Sequence, residues 1–212
     1  MKKKIIIVGC GGHAKSVCDS LLANQEYEVV GFIDKKDNKE FVYNHIRCIG
    51  TDYDLKSFYN RGVRYAALGI GYLGVGEVRE KVVNKLIRIG FELPVIIDPT
   101  AIFGNTVSIG NGTFVGKRVV VNADVNIGRY CIVNSGSVLE HDVQIGEWSH
   151  IAVGACICGG VNVAYNSFIG ANATVIQNVN VAECTIVGAG AVVIKDTQPE
   201  TKWVGVPARN VL

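Results

Sequence analysis

Three stretches of this sequence hold residues whose types and spacing suit chemistry. The first is Glu140-His141-Asp142, an imidazole between two carboxylates. A carboxylate beside imidazole fixes its tautomer and favours its protonated form, which makes the ring a stronger general base. The second is His150, nine residues further on, between Ser149 and Ile151. The third is the turn from Gly9 to Ala14, which follows an apolar run from Lys4 to Val8. Gly9, Gly11 and Ala14 match G-x-G-x-x-A, and Asp34 comes twenty residues after Ala14. Such a turn lets the backbone approach a phosphate, and the helix it opens favours negative charge at its N-terminus. The same glycines also suit a strand–helix turn with no ligand. His45 lies in a polar stretch without partners and suggests no chemistry. Seven cysteines form no CxxC pair and no metal-ligand spacing; Cys156 and Cys158 form only a CxC. An odd cysteine count without an export signal reads as reduced thiols, with Cys131 and Cys184 as small core fillers.

The element that must position the two histidines is a repeat. From Val107 to Asp196 the sequence divides without a gap into fifteen six-residue units, VSIGNG to AVVIKD. The third position is Ile, Val or Leu in every unit, and the first is only Val, Thr, Ser, Ala or Cys. A helix repeats its apolar positions at about 3.6 residues and a plain strand at about 2. A period of six fits short strands joined by regular corners and stacked into a parallel β-helix. Positions one and three lie two apart on a strand and point inward together. Positions four to six, rich in Gly, Asn, Asp and Ala, suit corners and positive φ. His141, fifth in SVLEHD, therefore sits at an outward corner, and His150, second in SHIAVG, also points out.

The glycine turn belongs to a different architecture. The strand from Lys4 to Val8, a helix through Leu22 and the strand EVVGFID ending at Asp34 form a β–α–β unit. About ninety-five residues precede the repeats, half of a doubly wound domain, which suits a nucleotide diphosphate better than a dinucleotide. The stretch from Asp37 to Asp54 is polar and reads as loop or edge. Leu55 to Asn60 reads as a short helix, Arg64 to Ile70 as a third strand and Gly71 to Gly76 as a flexible loop. An amphipathic helix is expected from Glu77 to Ile89, ending at Gly90. Glu92 to Ile97 reads as a fourth strand, placed at an edge by Pro94. Asp98-Pro99-Thr100 leads into the repeats through an irregular first unit with Phe103 inward. After Asp196 the period stops, and Trp203 and Val206 are available to cap the open solenoid end. The expected organisation is a Rossmann-like α/β domain over 1–97, a β-helix over 98–196 and a cap over 197–212.

Composition narrows the partners. The chain has 212 residues, 49% of them hydrophobic, and a formal net charge of +2. That balance argues neither for nucleic acid nor for a membrane surface. The apolar run after Lys2 to Lys4 is too short for an export signal or a membrane span, so a cytoplasmic protein is expected.

SVLEHDVQIGEWSHIAVGACICGGV, the GCGGHAKSV turn and the final GVPARNV together resemble the PglD/NeuD family of bacterial sugar acyltransferases over nearly the whole chain. The resemblance implies a left-handed helix, three units per coil and five coils, a departure from the usual handedness of parallel crossovers. It also implies a homotrimer. With eighteen residues per coil, His141 and His150 lie half a turn apart and face different directions within one subunit, so they share a pocket only across a subunit interface. By the same resemblance His141 takes a proton from the acceptor amine, and Asp142, where the best-known members carry glutamate, raises its basicity. His150 contacts acetyl-coenzyme A from across the interface, and backbone amides near Gly159 bind the thioester oxygen. Ala171 and Ala189 line the pantetheine and nucleotide end of the coenzyme, and the GVPAR tail closes over its adenine end. Gly11, Gly12 and His13 hold the phosphates and sugar of a nucleotide sugar. Asp34 and Lys35 make its uridine-side contacts, and Gly69 meets the nucleotide. The loop after Gly69 is longer and more Gly-rich than in the family, and Asp98 stands where a histidine is common.

The expected activity is N-acetylation by acetyl-CoA of the C4 amine of a UDP-, dTDP- or GDP-linked 4-amino-deoxysugar. It needs no metal and no covalent acyl-enzyme. Three alternatives stand beside it. One is O-acetylation of a sialic-acid-type sugar, which needs the same base. Another is nucleotide-sugar binding without catalysis. The last is a zinc carbonic anhydrase on the same helix, which needs three histidine ligands where the repeats offer two.

Overall fold

The computed structural model describes residues 2–36, 38–72 and 77–211; the Gly-rich loop expected up to Gly76 falls outside them from residue 73 onward. Backbone contacts gather the described residues into two compact units, 2–71 with 77–99, and residue 72 with 100–211. Among the described residues no helix is long and apolar enough to cross a membrane.

The first unit is built on β1 (Lys3–Val8), whose Ile5, Ile6 and Ile7 are wholly buried. A strand buried on both faces reads as an unbroken aliphatic run, as this one does. It is followed by α1 (Gly12–Asn24), β2 (Tyr27–Asp34), β3 (Val42–Tyr43), β4 (Ile46–Thr51), α2 (Leu55–Asn60), β5 (Tyr65–Leu68), α3 (Glu77–Ile89) and the short β6 (Ile96–Ile97). One sheet has the order β3-β4-β2-β1-β5, parallel except for the β3–β4 hairpin. The polar stretch expected as loop or edge contributes two strands, of which β3 is the edge of the sheet. Asn44 and His45, both at positive φ, form the two-residue tip of the hairpin, the turn whose twist matches paired strands. Cys48 carries β4 into the core. The strand expected from Glu92 shrinks to Ile96–Ile97, with Glu92 making a single bridge to Tyr65. Asp98 is buried and accepts a 2.7 Å hydrogen bond from Ser20 of α1, which satisfies a carboxylate that would be costly to bury alone.

The second unit is a left-handed parallel β-helix. A two-residue strand recurs every six residues from Ile102–Phe103 to Val192–Val193, and each up to Thr174–Val175 pairs in parallel with the strand eighteen residues on, as Val120 does with Val138. Three sheets result. One stacks the strands at 102, 120, 138, 156, 174 and 192, and a second those at 108, 126, 144, 162 and 180. The third contains those at 114, 132, 150, 168 and 186. Phe103 lies in register with Val121, so the first unit is regular. From Thr113 to Val193 every first and third position is buried. One column of first positions carries a second function. Thr113, Ser149 and Ser167 each donate a hydroxyl hydrogen bond of 2.8–2.9 Å to a corner carbonyl fifteen residues on, and the Cys131 thiol reaches Gly146 in the same way at 3.2 Å. These fillers therefore tie adjacent coils together as well as occupying space.

The corners obey one rule. The sixth residue of every unit from Gly112 to Gly190 has positive φ, whether or not it is glycine. Cys184 belongs to this set (φ 55°) and is half-exposed, so it is a corner residue and not the core filler expected. The open end is covered by Lys202–Val204, which extends the third sheet, and by the antiparallel strand Arg209–Asn210. Trp203 is 2% exposed and serves as the cap; Val206, at 72%, does not. Leu139, wholly buried at a third position, provides the check on this core: Leu139→Ala is expected to cost about 2–5 kcal/mol of unfolding free energy in a denaturant titration.

Candidate active site

His141 stands at the corner that follows the strand Val138–Leu139, with its side chain 66% exposed. Its Nδ1–H donates to Asp142 Oδ2 at 2.8 Å. Asp142 is a sixth-position residue at φ 62°, and its shorter side chain still closes this contact. The bond assigns the proton to Nδ1 and leaves Nε2 as the basic atom. The hydrogen bond donated to Asp142 raises the pKa of His141 above its ordinary 6.5; desolvation opposes the shift, and the charges of Asp142 and Glu140 add to it. The ring edge bearing Nε2 lies against Gly159, one coil further on. A Cβ built on Gly159 would fall 2.6 Å from both Nε2 and Cε1. Only glycine leaves the ring that position. The Gly159 N–H makes no hydrogen bond within the chain among the described residues. A lone pair and a backbone donor thus share one corner.

The other residues expected at the coenzyme lie elsewhere on the prism. His150 sits on the third sheet, and Ala171 and Ala189 stack one coil apart at the corner after that sheet, joined by the bond from Gly190 N to Ala171 O (2.8 Å). The histidines do face different walls. His150 points out of the prism, as its second position requires, yet it is only 6% exposed. Its Nδ1–H donates to the Tyr72 carbonyl at 2.9 Å, and the Tyr72 and Phe168 rings pack against it at 5.4 and 5.1 Å. The exposed imidazole expected here is a covered one, because a residue 78 positions earlier in the chain lies over it.

In the first unit Gly9, Cys10, Gly11, Gly12, His13, Asp34, Gly69, Ile70 and Gly71 line an open cleft of about 390 Å³. Five of the six expected substrate residues meet there. Gly11 is the extended N-cap of α1 and supplies no side-chain cap, so the first amides of a thirteen-residue helix face the cleft uncapped, the arrangement that suits a phosphate. Gly9, at φ +111°, packs on Gly69, whose own Cβ would fall 2.7 Å from that of Ala14. Gly69 is therefore required for the helix to sit close on β5 as well as for the cleft. Lys35, the sixth, lines an adjoining cavity of about 320 Å³ with Val8, Gly9, Asp34, Asp52, Ile70, Val78, Lys81, Val82 and Lys85. Asp52, Lys81 and Lys85 were not among the expected residues; the i,i+4 spacing of the two lysines on α3 is the signal that marks them as one face. Burial, aided by Cys48, raises the Cys10 thiol, and burial lifts Cys18 to about 11. Burial also raises Cys156. None of these three thiols is an activated nucleophile. Among the described residues no three His, Cys, Asp or Glu side chains group as a metal site.

A left-handed prism of six-residue units with a carboxylate-paired histidine at one corner defines a hexapeptide-repeat acyltransferase. Residues 4–86 match the PglD N-terminal domain family, and residues 106–141 match the bacterial transferase hexapeptide (six repeats) family. The chain is 32% identical to GDP-perosamine N-acetyltransferase from Caulobacter crescentus, solved as a histidine-to-alanine variant with CoA and GDP-perosamine. The match covers 98% of this chain and 96% of that one, with a TM-score of 0.88. It is 27% identical to the acetyltransferase domain of PglB from Neisseria gonorrhoeae FA1090 (99% and 100% covered, TM-score 0.90), which has also been solved with acetyl-coenzyme A. No curated protein sequence gives a significant match. The chain belongs to the PglD/NeuD family of sugar acetyltransferases.

Two measurements check the corner geometry. An NMR titration is expected to place the His141 pKa above 6.5 and to move it down in Asp142→Asn, since the leading cause of the shift is lost. Because the folded-state pKa is raised, the pair stabilises the fold at acid pH, and that contribution fades as pH climbs through the folded-state value. In Gly159→Ala the new methyl must displace the imidazole, a movable side chain, so acetyl transfer is expected to fall while the thermal midpoint stays unchanged.

Proposed function

We propose that this protein transfers the acetyl group of acetyl-CoA to the amine of a nucleotide-linked amino sugar, most specifically the C4 amine of a 4-amino-deoxysugar, with His141 as general base. The observation that carries this reading is the His141–Asp142 pair lying over Gly159. The amine attacks the thioester carbonyl, and His141 Nε2 takes its proton as the tetrahedral intermediate forms. The amide N–H of Gly159 donates to the developing oxyanion. Collapse expels the CoA thiolate, which recovers the proton from the imidazolium. The products are the N-acetyl sugar and free CoA, and no acyl-enzyme is formed. The Caulobacter relative has been solved with CoA and GDP-perosamine together, as histidine-to-alanine and histidine-to-asparagine variants, which supports a ternary complex and a histidine of interest. A cleft with uncapped helix amides supports a nucleotide diphosphate as the carrier.

The working form we infer is a trimer. The outer column Ile102, Val120, Val138, Cys156, Thr174 and Val192 is apolar apart from one threonine, and exposed or half-exposed. The matching column of the second sheet is Ser108, Asn126, Gln144, Asn162 and Asn180, all exposed. Only the first of these walls gains by meeting another copy. Such a meeting would also bring the His141 corner of one protomer to residues such as Ala171 and Ala189 of another, which a single prism keeps at separate corners.

The decisive experiment is steady-state kinetics on His141→Ala with acetyl-CoA and nucleotide amino sugars. Loss of about 10²- to 10⁴-fold in kcat with unchanged CoA affinity is expected. Retention of most activity would remove His141 from the mechanism. In the unmodified enzyme kcat/KM should rise with pH through a limb lying above 6.5, because the base must be neutral to act and its pKa is raised.

A further inference from the structure

The cavity of about 320 Å³ beside the glycine cleft has a composition that the transfer reaction does not explain. The two share Gly9, Asp34 and Ile70 and so form one trough. Part of its lining comes from the C-terminal ends of neighbouring parallel strands: Gly9 after β1, Asp34 ending β2 with Lys35 after it, and Asp52 just after β4. Ligands of open α/β sheets lie across such ends. Its remaining wall is α3, which contributes Val78, Lys81, Val82 and Lys85. At this size it is near the lower limit of about 300 Å³ for small-ligand pockets, and it suits one flat ring system between aliphatic side chains.

The turn that carries Asp52 is held in place before any ligand arrives. Asp54 Oδ2 accepts from Thr51 N at 2.8 Å and from Thr51 Oγ1 at 3.1 Å, and Asp54 N donates to Thr51 O. Asp54 thereby braces the turn, and Asp52 is left half-buried on the cavity wall with no hydrogen bond among the described residues. Next to it, Tyr53 holds the Lys85 ammonium 5.5 Å above its ring. Asp34 is differently employed: its Oδ1 already accepts from Lys35 N at 2.6 Å, and a carboxylate at this point of the fingerprint suits a ribose hydroxyl.

We propose that Asp52 and Lys85 read the nucleobase of the sugar nucleotide and select guanine. This rests on the nucleotide-sugar reading above and narrows it. Guanine alone presents two adjacent N–H donors, N1–H and N2–H, to a carboxylate. It also carries O6 and N7 acceptors for an ammonium. Uracil and thymine offer one N–H between two carbonyls, whose oxygens a carboxylate repels. Adenine and cytosine place an acceptor nitrogen beside their amino group, with the same result. A carboxylate left unpaired by the wrong base enforces the choice as strongly as the right contact does.

Calorimetric titration of the full chain with GDP, UDP, dTDP, ADP and CDP tests this, followed by Asp52→Asn and Lys85→Met. GDP is expected to bind about tenfold more tightly than the others, the discrimination typical of one bidentate base contact. Asp52→Asn should abolish that preference while leaving UDP affinity unchanged, and Lys85→Met should weaken GDP selectively. Equal binding of all five diphosphates overturns the guanine assignment and leaves the nucleotide-sugar reading standing. A GDP preference that survives Asp52→Asn overturns the role of Asp52. Failure of every diphosphate to bind overturns both readings.

Discussion

Closure of the coil depends on a backbone requirement that recurs through the second unit. At the sixth residue of each unit from Gly112 to Gly190 the chain enters the left-handed region, and it does so with arginine, aspartate, tyrosine, tryptophan, asparagine and cysteine as well as with glycine. For a residue with a Cβ that conformation costs on the order of 1–2 kcal/mol. The cost recurs at corner after corner and is offset by the aliphatic column inside, where buried side chains contribute about 1.5–3 kcal/mol each. The repeat is this balance written in sequence: a branched aliphatic at position three, a small filler at position one and a tolerated left-handed turn at position six. Asp142 takes part in both accounts, since its backbone makes a corner and its carboxylate orients the His141 imidazole.

The balance explains what the sequence makes legible. A strict period leaves one arrangement for its inward residues, so the solenoid and the outward corner of His141 follow from counting, while the three-unit coil that sets the two histidines on different walls follows from the family resemblance. Local spacing likewise reveals the glycine turn and the extent of α3. What counting misses depends on chain segments distant in sequence. His150 is outward by its position, but its burial is decided by Tyr72, whose arrival over that wall no periodicity records. The hairpin of β3 and β4 hides in a polar segment because its turn uses Asn44 and His45, where a glycine would have announced it. Asp52, Lys81 and Lys85 meet only because a turn and a helix some thirty residues apart face the same strand ends. Val206 shows the converse error: an apolar residue in a capping tail need not be the one that caps.

The two units divide the chemistry along physical lines. The α/β unit presents uncapped amides, carboxylates and lysines, which suit a charged carrier held by many polar contacts. The β-helix presents a single base beside a single amide on a scaffold whose every strand is hydrogen-bonded to the next. On the proposed function, recognition is spread over loops at strand ends, and reactivity is concentrated where the backbone is stiffest. A base that acts without a covalent intermediate depends on such rigidity, because the nucleophile and the thioester must both come to it.

His141 and Gly159 lie one full coil apart, so their separation is set by the gap between adjacent paired strands, about 4.8 Å, and by nothing further along the solenoid. Duplicating or deleting eighteen residues at either extremity would lengthen or shorten the molecule and leave that interval intact. An edit of six between them would carry the glycine round to a neighbouring edge, and an edit of one would turn the lining inside out. Descendants of this gene can therefore vary in height at little risk to the reacting corner, but only in whole storeys.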